Sequence, residues 1–100
     1  MTIATVTVRV HGTSARIMIS GEIDIENAAS IEQQILDAID NHMTDVEVDL
    51  TYLDYMDSSG LRILFSLASR LQVLQINLEV VAPPGTPTRR VLELAGFGGL

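Results

Sequence analysis

Between Val46 and Leu71 the spacing of apolar residues changes abruptly, and this change constrains the fold more than any other feature of the chain. Val46, Val48 and Leu50 alternate with Glu47 and Asp49, the period of a strand with one wetter face. A short loop later, Leu61, Leu64, Phe65, Ala68 and Leu71 recur at helical spacing, with Arg62, Ser66, Ser69 and Arg70 on the other side. The unit is a strand, a loop and a helix, and its junction reads Tyr55-Met56-Asp57-Ser58-Ser59-Gly60-Leu61. Two hydroxyls fall in the first helical turn, where free backbone N–H groups and the positive end of the helix dipole welcome an anion. A serine there is either a helix cap or a place to put a phosphate.

The same two periods organise the rest of the chain. Val6, Val8 and Val10 alternate with Thr5, Thr7 and Arg9 as a half-buried strand. His11-Gly12-Thr13-Ser14 is a turn cluster, and Ala15, Ile17 and Ile19 mark a second strand, giving a hairpin that Gly21-Glu22-Ile23-Asp24 ends. From Asn27 to about Asn41 the period is helical, with Ala28, Ile31, Ile35, Ala38 and Ile39 on one face. Glu22, Asp24 and Glu26 precede it and suit the positive end of its dipole. Asn77 to Ala82 forms a fourth strand, which Pro83-Pro84-Gly85 closes. Thr86 and Pro87 then open a short third helix as cap and first-turn proline, and Gly96 stops it. The order ββαβαβα predicts an α/β domain: a mixed, mostly parallel four-stranded sheet packed by helices, spanning residues 1–100 as one unit.

Composition removes several function classes. Acids outnumber bases 13 to 6, for a formal charge of −7, and that field repels nucleic-acid phosphates. Four aromatics and no tryptophan make a poor base-stacking platform. No run is long and apolar enough to cross a bilayer, and the first residues lack the charged start of a signal peptide, so a cytoplasmic protein with neither a membrane nor a nucleic-acid partner is expected. The absence of cysteine removes disulfides and thiolate metal sites. Neither His11 nor His42 has a second histidine at ligand spacing, so no metal site is expected.

Enzymatic chemistry also finds little support. Ser58 and Ser59 lack the Gly-x-Ser-x-Gly elbow, and without lysine there is no Walker-type phosphate loop. Asp24, Asp54 and Asp57 form the one conceivable carboxylate cluster, but helix-start and turn roles account for each. No catalytic residue, cofactor or enzymatic activity is expected.

Asp49-Leu50 and Met56-Asp57-Ser58-Ser59-Gly60-Leu61, with the upstream Gly21-Glu22-Ile23-Asp24 and the ββαβαβα order, resemble the STAS domain family, and more narrowly the bacterial anti-sigma factor antagonists. The likeness covers roughly residues 5 to 97. It implies partner switching: the unmodified antagonist binds an anti-sigma factor that is also a serine kinase, which frees the sigma factor for transcription, and phosphorylation by that kinase ends the binding. Carried across, Ser58 is the acceptor, with Ser59 as runner-up. Asp24 corresponds to the family's loop aspartate, Asp57 and Ser59 to the acceptor's neighbours, and Gly60 to the small residue behind them. A phosphatase that resets the switch is a further partner the family allows. The alternative is a STAS domain serving as a structural or regulatory subunit of a stress-signalling or transporter complex. One departure from the family pattern is at the end: its members usually continue past the third helix into a short final element, and this chain stops at Gly98-Gly99-Leu100.

Two further residues complete the expected partner surface. Arg62 lies on the outer face of the second helix and Ile63 on its flank. An exposed apolar side chain beside the Ser58 loop is what a protein interface uses.

Overall fold

The structure is a computed structural model that describes residues 2–97. Gly98, Gly99 and Leu100, where the sequence departs from the family pattern, lie outside the described residues. The elements are β1 (Ala4–His11), β2 (Ser14–Ile23), α1 (Ala28–Ala38), β3 (Asp45–Asp49), β4 (Leu53–Met56), α2 (Ser58–Val73), β5 (Asn77–Val81) and α3 (Pro87–Leu94).

The hairpin β1–β2 is antiparallel, and β2 then pairs in parallel with β3, and β3 with β5. Alternation sets the two faces of this sheet. Ala15, Ile17 and Ile19 of β2 are buried together with Val46 and Val48 of β3 and Val80 of β5. Those residues share one face by register, since Ile17 stands opposite Val48, and Val48 opposite Val80. Ile31 and Ile35 of α1, Leu64, Leu67 and Leu71 of α2, and Leu92 of α3 close the same core. Arg16 and Glu47 stand on the other face and pair at 2.9 Å.

The sheet has five strands, one more than the apolar alternation predicted. The extra strand, β4, pairs in parallel with the far end of β2, where a register shift at Gly21 and Glu22 redirects the chain. Accordingly Gly21 to Ile23 do not end β2 but extend it. Gly21 makes this possible: its φ is +93°, and a Cβ there would stand 2.5 Å from the Ile3 carbonyl oxygen. The first helix stops at Ala38, short of Asn41, because Ile39 is extended and Asp40 turns back to accept the His42 N–H at 2.8 Å. The third helix has the expected ends, with the Thr86 hydroxyl accepting the Arg89 N–H, Pro87 in the first turn and Gly96 at φ +78° just past the end.

The wetter face of β3 holds one exception. Asp49 is buried, and its carboxylate accepts from the Thr51 N–H at 2.9 Å and from Arg16 at 2.6 Å, with the Thr51 hydroxyl also bonded to it. This pins the turn that carries β3 into β4. Burial alone would push Asp49 up, but the Thr51 hydroxyl and the Arg16 guanidinium outweigh it and hold the carboxyl below its usual range.

Candidate functional site

Two parallel strands deliver the site. Ile23 of β2 stands opposite Met56 of β4, so Asp24 and Asp57 leave the same edge of the sheet side by side. The Asp57 N–H donates to the Ile23 carbonyl at 3.3 Å and fixes that exit. This is the strand-end position at which α/β folds place binding groups.

At the junction, Asp57 is extended and caps α2 through its carboxylate, which accepts the Ser59 N–H at 2.8 Å. Ser58 and Ser59 occupy the first two helical positions, as the spacing predicted. Because Asp57 performs the capping, Ser58 does not: its side chain is exposed, and among the described residues its hydroxyl makes no hydrogen bond. Ser59 is half-buried. Gly60 is buried beneath them, and a Cβ on it would stand 2.1 Å from Cγ and 2.6 Å from Sδ of Met56. The absence of a side chain at Gly60 therefore lets α2 start directly on β4.

The loop after β2 faces this helix start. The Asp24 N–H donates to the Asn27 side-chain oxygen at 3.0 Å, and the Asn27 amide donates to the Glu22 carbonyl at 2.8 Å. One Asp24 carboxylate oxygen accepts the Glu26 N–H at 2.8 Å, and the other accepts the Thr2 hydroxyl. The Thr2 hydrogen bond is the main reason the Asp24 carboxyl lies below its usual range, ahead of the opposing desolvation and the Glu26 N–H. Asp24 and Glu26 thus organise the loop; with Glu22 they lie ahead of α1, and the first turn of the helix itself contains no acid.

Ile25, at the tip of this loop, is 81% exposed. With Ala28, Glu32, Ser59, Arg62 and Ser66, and with Ile63 at its floor, it lines a groove of about 310 Å³ between α1 and α2. Arg62 is exposed there, as expected. Ile63 is not: only 5% exposed, it packs in the core, and the expectation of an exposed flank is corrected. Apolar residues occupy more than half the circumference of α2, so its inward face is set by packing, and the helix turns Ile63 and Leu67 inward while Phe65 is 44% exposed. Phe65 meets Phe97 edge-on instead, with ring centroids 5.1 Å apart.

Sequence reasoning missed Thr2, Ile25 and Asn27. Ile25 carried a signal, as a lone large hydrophobe between two acids in a loop; nothing in the sequence marked Thr2. Elsewhere, Arg89 donates from Nη1 to the Ala82 carbonyl at 2.8 Å, a tie between α3 and the end of β5. Among the described residues no cluster of three or more histidine or acidic side chains is arranged to hold a metal ion, and no helix is long and apolar enough to cross a membrane.

A mixed sheet with a parallel pair ending in a loop aspartate and an Asp-Ser-Ser-Gly helix start is the architecture of a STAS domain, and the chain belongs to that family: the family described as "Mlab, STAS domain" matches residues 6–100. Among proteins similar to it is the anti-sigma-F factor antagonist RsfB of Mycobacterium tuberculosis, 35% identical over 93 residues, which cover 93% of this chain and 75% of RsfB. The crystal structure of an anti-sigma factor antagonist from Mycobacterium paratuberculosis superposes with a TM-score of 0.85 at 29% identity, covering 95% of this chain and 80% of that one. The antagonist SpoIIAA in its unphosphorylated form shares the fold, with a TM-score of 0.78 at 24% identity over 94% of this chain and 83% of that one.

Proposed function

We propose that this protein is an anti-sigma factor antagonist: unmodified, it binds an anti-sigma factor that is also a serine kinase, and phosphorylation of Ser58 ends the binding. The observation that carries this reading is the exposed, unbonded Ser58 hydroxyl at the first position of a helix that Asp57 caps. A kinase needs such an oxygen accessible, and the fold needs nothing from it. Similarity to RsfB supports the class of partner.

The switch follows from charge. A phosphate adds about 1.5 to 2 negative charges. The helix N-terminus tolerates the added charge, so the modified protein keeps its fold. Asp24 and Asp57 stand at the same edge and make the field more negative still. A partner surface fitted to a neutral hydroxyl then meets bulk and charge without compensation, and affinity falls by orders of magnitude. Asp24, Asp57, Ser59, Gly60 and Arg62 frame the contact, and Ile25 takes the apolar role that buried Ile63 does not fill. Ser59, half-buried and donating its N–H to the cap, is the poorer acceptor.

Incubation with a histidine-kinase-like anti-sigma factor from the same genome and ATP tests the assignment. Mass spectrometry is expected to find one phosphate on Ser58 and none on Ser58→Ala. Phosphate retained by Ser58→Ala would move the acceptor elsewhere.

A further inference from the structure

The loop beside Ser58 is held from outside as well as from within. Thr2 lies ahead of β1, yet its hydroxyl donates to Asp24, its N–H donates to a Glu26 carboxylate oxygen at 3.2 Å, and that oxygen is 3.1 Å from the same hydroxyl. One hydroxyl proton serves one carboxylate at a time, and Asp24 is the nearer. The next residue, Ile3, accepts the Glu22 N–H on its carbonyl at 3.0 Å. Gly21 is what lets the segment pass so close, since any Cβ there would collide with that carbonyl. Two residues thus grip the loop at its start, at Asp24 and at Glu26, opposite the Asn27 latch.

We propose that Thr2 and Ile3 form a strap that positions the partner-binding loop, with Thr2 the positioning residue that holds Asp24 and so presents Ile25. The proposal rests on the preceding reading that the partner docks across Ser58 and this loop. Without the strap, two adjacent carboxylates repel each other close to Asp57, and the loop samples open conformations. A partner would then have to order it on binding, and that cost appears as lost affinity. Thr2 touches no reacting atom; it acts through Asp24.

Thr2→Val keeps the shape and removes the hydroxyl, and Thr2→Ser restores it. Three readouts are compared: the backbone heteronuclear NOE of Asp24 to Glu26, the NMR titration of the Asp24 carboxyl, and the Kd for the anti-sigma factor used in the phosphorylation assay. Thr2→Val is expected to lower the NOE, move Asp24 up toward its ordinary titration range and raise Kd about three- to tenfold, while Thr2→Ser behaves as wild type. Gly21→Ala, which drives the Ile3 carbonyl away, is expected to disturb the same resonances. Wild-type NOE and titration in Thr2→Val overturn Thr2 as the residue that positions Asp24. A loosened loop with unchanged Kd overturns its positioning role. A wild-type protein that binds no anti-sigma factor sinks the functional reading instead, and the NMR arm still decides whether the strap exists.

Discussion

At the scale of single residues, the division of labour between Asp57 and Ser58 is what gives the site its character. Both are good caps, and their order in the chain leaves open which one serves. Once the β2–β4 pairing fixes the direction in which the chain enters α2, the Asp57 carboxylate reaches the Ser59 N–H and the Ser58 hydroxyl is left outside. The motif was therefore legible in the sequence, but the assignment of roles within it was not. Ile25 follows the same logic. An apolar side chain that is 81% exposed contributes little to the core, so Ile25→Ser is expected to leave the melting temperature near wild type. The same change is expected to raise the Kd for the anti-sigma factor at least about tenfold, as loss of a central apolar contact does. Calorimetric titration checks this, and an unchanged Kd would remove Ile25 from the interface.

At the scale of elements, periodicity identified three helices and four strands because each buries one face against one core. It failed on β4, and the reason is physical. Leu53 and Met56 are the buried residues of that strand, three positions apart, a spacing that does not alternate. The strand exists because the end of β2 needs a hydrogen-bonding partner, a requirement that arises only once the sheet is assembled. The contact between α2 and this strand is equally tertiary, and it depends on Gly60. Gly60→Ala forces the buried Met56 side chain to move. It is expected to cost about 1–3 kcal/mol in urea unfolding, the usual range for overpacking, and to shift the amide resonances of Ser58 and Ser59. A variant as stable as wild type would mean that α2 does not rest on β4 as closely as described.

At the scale of the whole molecule, the acidic charge and the carboxylate bonds make opposite contributions. The net charge of −7 steers basic protein surfaces toward the domain and nucleic acids away from it. Asp24, Asp45 and Asp49 are each held below the ordinary carboxylate range, Asp24 first by Thr2, Asp45 first by Thr44, and Asp49 by Thr51 and Arg16 against its own burial. A depressed folded-state value means that the unfolded chain takes up protons first as the pH falls. These groups therefore stabilise the fold above the unfolded carboxylate value of about 3.9, and that contribution is lost as the pH drops through the folded values. The urea midpoint is expected to be flat from neutrality to about pH 5 and to fall below about pH 4. Asp49→Asn should lower the neutral plateau and flatten the acid limb, and an acid limb as steep as wild type would show that Asp49 carries none of this dependence.

Whether one exposed hydroxyl at a helix start decides partner binding is read by isothermal titration of the anti-sigma factor with the Ser58 hydroxyl form and the stoichiometrically phosphorylated form of the same preparation, with the fold of each checked by NMR. Tight binding by the hydroxyl form, at least about a hundredfold weaker binding by the phosphorylated form, and amide shift changes confined to the Asp24 loop and the first turn of α2 are expected. Equal affinity of the two forms, or shift changes spread through the sheet, would contradict the switch.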